Sequence, residues 1–123
     1  MKPRSLPEIV RHALELFAPL GSIHTKAMFG GWGFYCDEHF FALVADDTLY
    51  LKADGQSALL FSEAGGEPFR FSGKEGRMET MAYWTVPATA LESSAEMLPW
   101  GQAALAAAVR QKKKPKAVRR PRP

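Results

Sequence analysis

One cysteine, Cys36, and three histidines supply all the thiol and imidazole groups in 123 residues. A single thiol cannot close an internal disulfide, so a disulfide-framed scaffold is excluded. A zinc site, which needs about four ligands, has little to draw on. Long apolar runs are missing as well: nothing approaches the roughly 18 residues of a membrane span. The opening MKPRSLPEIVRH lacks the apolar stretch and small-residue cleavage site of a secretory leader. The expectation is a soluble protein made for the cytoplasm, with no membrane contact. Hydrophobic residues nonetheless make up 46% of the chain, too many for a disordered polymer and enough to build the core of one domain.

Acidic residues are missing from one place in particular. From Arg110 to Pro123 there is no Asp or Glu, while Arg110, Lys112, Lys113, Lys114, Lys116, Arg119, Arg120 and Arg122 supply eight of the sixteen basic residues. The other eight stand against thirteen acids in residues 1–109, a net charge of −5 there. The overall charge of +3 therefore describes the tail rather than the body. The expected division is a folded domain over residues 1–110 and a basic, disordered tail over 111–123. Such a tail can meet polyanions through counterion release, weakly and with little sequence preference.

Hydrophobic periodicity orders the rest. Ile9, Val10, Ala13, Leu14, Leu16, Phe17 and Leu20 form a helical stripe. Ser5 and Glu8 are placed as a capping box before it, and Pro19 and Gly21 end it. Strand-like runs follow over 22–29, 32–36, 40–45 and 48–52, the last two joined by an Asp46-Asp47 hairpin turn. Phe41, Leu43, Leu49 and Leu51 alternate as one buried face would. Residues 56–64 read as a short helix closed by Gly65-Gly66. A second hairpin spans 68–72 and 77–86 around GKEG, and Pro87 ends it. A last helix is capped by Ser93 or Ser94, with Pro99 in its first turn or forcing a restart at Trp100. Its AALAAAV segment is apolar over most of its surface, so it is expected to pack on the body or on a second subunit. The order α-β-β-β-β-α-β-β-α predicts an α+β domain, a curved antiparallel sheet with helices packed on one face.

Three glycines in AMFGGWGFYC invite a ligand-binding reading. A phosphate-cradling loop, however, needs amides facing outward ahead of a helix, and WGFYCDEHFF reads as strand. No Lys-Ser or Lys-Thr follows. The sequence favours Gly30, Gly31 and Gly33 as a kink or bulge across whose bare backbone Phe29, Trp32, Phe34 and Tyr35 pack, with ligand contact as the alternative. Cys36 and His39, with His24 on a neighbouring strand, could form a thiolate–imidazole pair or a partial metal site. A buried thiol beside a turn histidine is the simpler account. Asp37-Glu38 and Asp46-Asp47 are explained by turn chemistry. Aromatics alternate with Arg70, Lys74 and Arg77 near the last hairpin, but Glu67, Glu75 and Glu79 offset those charges, as on an ordinary solvated hairpin.

Several blocks then stand in a telling order: Met28-Phe29-Gly30-Gly31-x-Gly33-x-Tyr35, residues 41–52 (FALVADDTLYLK), Glu67-Pro68-Phe69, and Met81-x-Tyr83-Trp84-x-Val86-Pro87. Together they resemble the N-terminal domain of the TfoX/Sxy bacterial competence regulators, over roughly Leu6 to Val109. The resemblance implies a small α+β domain without enzymatic chemistry or cofactor. It further implies regulation of transcription in concert with a cyclic-AMP-responsive activator. The family's regulators carry a second, C-terminal helical domain, and the expectation from the basic tail is that this chain does without it. The resemblance marks Met28, Phe29, Gly30, Gly31, Gly33, Tyr35, Tyr83 and Pro87 as structural or interaction residues. The expected function is a non-enzymatic regulatory domain that binds another protein, as a monomer or homodimer. The alternatives are nucleic-acid binding through the basic tail and small-ligand or metal binding near Cys36.

Overall fold

A computed structural model of the chain describes residues 6–28, 30–72 and 78–113. Ser5 and Phe29, the GKEG turn and the tail beyond Lys113 lie outside the described residues.

The first helix, α1 (Glu8–Phe17), starts two residues later than a Ser5 cap would place it. Pro7 is its N-cap residue, and the Pro7 carbonyl accepts the amides of Val10 and Arg11 at 3.0 Å each. Proline suits this boundary because its missing N–H would have no helical partner there. The helix buries Val10, Ala13, Leu16 and Phe17 on one side. A 3-10 turn, Ala18–Leu20, closes it and leads to Gly21.

Four strands follow as a meander: β1 (Ile23–Met28), β2 (Gly31–Cys36), β3 (His39–Ala45) and β4 (Thr48–Lys52). After α2 (Ala58–Glu63) come β5 (Pro68–Ser72) and β6 (Met78–Trp84), then a 3-10 turn, Ala88–Leu91, and α3 (Ser94–Lys113). All pairings are antiparallel and the order across the sheet is β1-β2-β3-β4-β6-β5. This is the expected α+β layout. Asp46 and Asp47 form the two-residue β3–β4 turn with φ of 50° and 59°, the left-handed backbone that suits the twist of a tight hairpin.

Two features depart from the sequence reading. The first is a bulge. Phe34 pairs with Ala42 but Tyr35 pairs with Phe40, so Phe41 is an extra residue on β3. It shifts the alternation: Phe41, Ala42 and Val44 are buried beneath the helices, and Leu43 turns to the opposite face with its partners Gly33 and Tyr50. The second is Pro99, which lies inside α3, neither in its first turn nor at a restart. The Ser93 hydroxyl accepts the Glu96 amide at 3.2 Å and caps the helix. Pro99 has no N–H to offer the Ala95 carbonyl, but Ala95 is exposed, so water can take that carbonyl. Burial of Met97 and Ala104 on either side holds the helix together through the gap.

The core lies between α1, α3, the Phe61 side of α2 and the sheet face carrying Phe34, Phe41, Leu49 and Leu51. Ala104, Ala107 and Ala108 bring α3 close to that face. Helix α3 runs through residue 110, the expected domain boundary, to Lys113.

A candidate interaction face

Strand alternation sends the remaining side chains to the other face of the sheet. There His24, Tyr35, Phe40 and Tyr83, from β1, β2, β3 and β6, stand in one row. His24 stacks on Tyr35 at 5.3 Å between ring centres and 6° between planes. Tyr35 stacks on Phe40 at 5.1 Å, and Phe40 meets Tyr83 at 5.7 Å. The first two spacings follow the distance between neighbouring strands; the third pair reaches across β4, which lies between β3 and β6. Lys52, on β4 between the strands of Phe40 and Tyr83, holds its Nζ 4.9 Å from the centre of the Tyr83 ring, a cation–π contact. Tyr50 and Phe69 add an edge-to-face pair at 4.9 Å.

Glycine makes this row possible. A Cβ on Gly33 would stand 2.8 Å from the Phe40 ring and 2.9 Å from the Met28 methyl, so the bare backbone is the floor on which both side chains rest. A Cβ on Gly31 would run into the Val44 carbonyl oxygen. Gly30 is exposed and has φ of 79°, which favours glycine where the chain turns from β1 to β2. The three glycines thus act by removing bulk and permitting a turn.

Burial dominates the electrostatics of the row. Tyr83 is only 4% exposed although it lies outside the main core, and its hydroxyl is pushed up to about 12 by desolvation, with the Tyr35 hydroxyl acting in the same direction. Desolvation likewise pulls the Lys52 ammonium down, against the raising effect of Asp54. Met28, Gly31, Gly33, Tyr35 and Tyr83, all marked by the sequence resemblance, meet on this one face. Pro87 stands apart, between β6 and the 3-10 turn that follows, and Phe29 lies outside the described residues.

The other candidate residues fall elsewhere. Cys36 is buried on the helix-covered face with Sγ 4.0 Å from the Leu20 carbonyl. Burial pushes its thiol up, and the Asp37 charge adds to the effect, the reverse of what an activated nucleophile requires. His39 is its cross-strand partner, and the buried His39 Nδ1 has no hydrogen-bond partner. His24 is carried to the opposite face, so the three do not converge. Among the described residues no three His, Cys, Asp or Glu side chains are grouped to hold a metal ion. No helix of the described residues is long and apolar enough to cross a membrane.

Arg110, the first of the tail's cations, is engaged within the fold. Counted in the sequence among the cations that could meet a polyanion, it pairs with Asp54, its Nε donating to Oδ2 at 2.7 Å and its Nη2 to Oδ1 at 2.9 Å. The same carboxylate accepts the Gln56 and Ser57 amides and the Ser57 hydroxyl at 3.0–3.2 Å. This fork ties the end of α3 to the β4–α2 loop, beside a cleft of about 490 Å³ that Lys52, Gln56 and Gln111 also line. Of the remaining tail cations, Lys112 and Lys113 continue α3, and Lys114, Lys116, Arg119, Arg120 and Arg122 lie outside the described residues.

The hydrogen bond from Arg110 holds the Asp54 carboxyl well below the usual carboxylate range; burial opposes it, and the Gln56 amide, the Arg110 charge and Ser57 assist. A lowered folded-state value stabilises the fold above the unfolded value of about 3.9 and is lost as the pH falls below that. Asp54→Asn is therefore expected to melt below the wild type at pH 7, with the gap closing between about pH 4 and pH 2. A gap that stays constant across that range would show that the fork contributes nothing through charge.

Comparison with known proteins decides the family. The family model described as the TfoX N-terminal domain matches residues 15–108. The chain belongs to the TfoX N-terminal domain family. That match covers the last three residues of α1, the whole sheet and α3 as far as Ala108. Among TfoX N-terminal domain relatives, protein Sxy of Escherichia coli is 30% identical over 112 residues, covering 91% of this chain and 53% of that protein. DNA transformation protein TfoX1 of Aliivibrio fischeri is 34% identical over 67 residues, 54% of this chain and 32% of that protein. The chain thus spans about half, or less, of the length of these curated relatives.

Sequence reasoning anticipated several members of the aromatic row but not the row itself. Cross-strand neighbours depend on register, and the β3 bulge that sends Phe40 one way and Phe41 the other has no plain signal in HFFALVA. The Asp54–Arg110 fork joins residues 56 positions apart and was equally invisible.

Proposed function

We propose that this chain is a non-catalytic interaction domain that serves the control of DNA transformation by binding a protein partner. One observation carries the reading: the family match over residues 15–108, joined to a relative named a DNA transformation protein. The raised Cys36 thiol and its separation from His24 speak against nucleophilic or metal chemistry at the one cysteine. A hard, aromatic sheet face is a reasonable surface for a protein and a poor one for catalysis. The partner reading follows from the resemblance to regulators that act on transcription together with an activator protein.

The test is genetic. Deleting the gene from its own host, and separately overproducing the chain, is expected to change the frequency of transformation by a marked DNA fragment at least about tenfold in one of the two. Unaltered frequency and unaltered DNA-uptake transcripts in both would overturn the reading.

A further inference from the structure

The aromatic face differs in charge from the body that carries it. Residues 1–109 hold five more acids than bases, yet across β1 to β4 this face presents His24, Lys26 and Lys52 and no carboxylate. The cations stand on two strands, β1 and β4. His24 and the exposed Lys26 lie on the edge strand β1, and Lys52 lies on β4 with its Nζ over the Tyr83 ring. Between them are Met28, Tyr35, Phe40, Leu43 and Tyr50, all partly exposed. Because His24, Tyr35 and Phe40 turn their ring faces on one another, the surface they offer outward is ring edge. Ring edges carry the positive part of the aromatic quadrupole.

We propose that this face docks an acidic, apolar-centred segment of a partner protein. Its carboxylates sit against Lys26 and Lys52 and its apolar side chains against Tyr35, Phe40 and Leu43. The proposal rests on the reading of the chain as an interaction domain and names the chemistry of the partner. Single-stranded nucleic acid, the other polyanion that seeks aromatic sheet faces, needs ring faces free for its bases to stack on. Here the faces of Tyr35 and Phe40 are occupied by neighbouring rings, and among the described residues the cation over Tyr83 is the chain's own Lys52. Charge complementarity of this kind sets orientation and partner choice, so its loss shows as weakened and less selective binding.

The test is a residue-resolved NMR titration of the full chain with three probes. These are a capped 12-residue peptide alternating Glu and Val, its Lys–Val counterpart, and a 12-nucleotide oligothymidylate. The Glu–Val peptide is expected to shift the amides of Lys26, Tyr35 and Leu43, and the Lys–Val peptide to leave them in place. Lys26→Glu should weaken the Glu–Val peptide about tenfold. Lys52→Met, which keeps an unbranched stem over Tyr83, should weaken it too, with the dispersion of the amide spectrum retained in both variants. Shifts confined to residues 111–123, an equal response to the Lys–Val peptide, or a stronger response of the same amides to oligothymidylate would each overturn the proposal. The two readings fail separately. A host indifferent to loss of the gene overturns the role in transformation and leaves peptide binding standing. A host that needs the gene but accepts Lys26→Glu with Lys52→Met at full transformation overturns the docking face alone.

Discussion

Gly31→Ala is expected to be the most damaging single-methyl change in this domain. The added Cβ would meet the Val44 carbonyl oxygen, a backbone atom held in the β3 ladder. Neither strand can yield without breaking sheet hydrogen bonds, so the loss should be about 3 kcal/mol. In a domain of this size that lowers the melting temperature by more than about 10 °C. The neighbouring glycines grade the effect. At Gly33 the obstacles are the tips of Phe40 and Met28, which can swing aside, and Gly33→Ala should cost about 1 kcal/mol while loosening the aromatic row. Gly30 meets nothing within 4 Å, and Gly30→Ala should cost about 1 kcal/mol through its φ of 79° alone. Thermal melts of the three variants give the order directly. A Gly31→Ala protein melting within about 2 °C of the parent would mean that β2 and β3 part more easily than their packing implies.

The second large effect is expected at Phe17, where the helical stripe meets the sheet. Its ring is fully buried and contacts Phe34 edge-on at 5.6 Å and Phe41 at 4.8 Å. Phe17→Ala removes the centre of that trio and leaves a cavity between α1 and the sheet, at a cost of about 3–5 kcal/mol. Set against the 5–15 kcal/mol typical of a whole domain, this brings the protein close to unfolding at ordinary temperature. Phe17→Leu, which retains most of the volume, should lose only about 1 kcal/mol. Urea denaturation distinguishes the two, and a Phe17→Ala loss below about 1.5 kcal/mol would show that the three rings are not the keystone of the core.

Much of this fold was legible in local chemistry. The apolar stripe of α1, the paired aspartates of the β3–β4 turn and the glycine stretch each carry their meaning within ten residues of sequence. At Gly31 and Gly33 the need for a bare backbone was legible but not its form: β1 and β2 pair there without a bulge, and the side chains resting on Gly33 are Phe40 and Met28, not its sequence neighbours. Three things were not legible, for one shared reason. The phase change at Phe41, the passage of α3 through Pro99 and the Asp54–Arg110 fork are all decided by what the rest of the chain brings alongside. A proline in isolation breaks a helix by about 3 kcal/mol; burial of Met97 and Ala104 overrides it here. The candidate face was visible only in part, because Tyr35 and Tyr83 become neighbours through Phe40, which no local pattern singles out.

The last hairpin is fastened to the meander by a narrow seam. Between β4 and β6 only Leu51–Trp84 and Lys52–Tyr83 are in register, with one further bond from the Ala53 amide to the Ala82 carbonyl at 2.9 Å. Strands β1 to β4 pair along most of their length. Local opening follows the fewest bonds, so the amides of β5 and β6 should exchange with deuterium as a unit before those of the meander. When that flap lifts, Tyr83 leaves with it, and the end of the aromatic row is uncovered without the rest of the molecule unfolding.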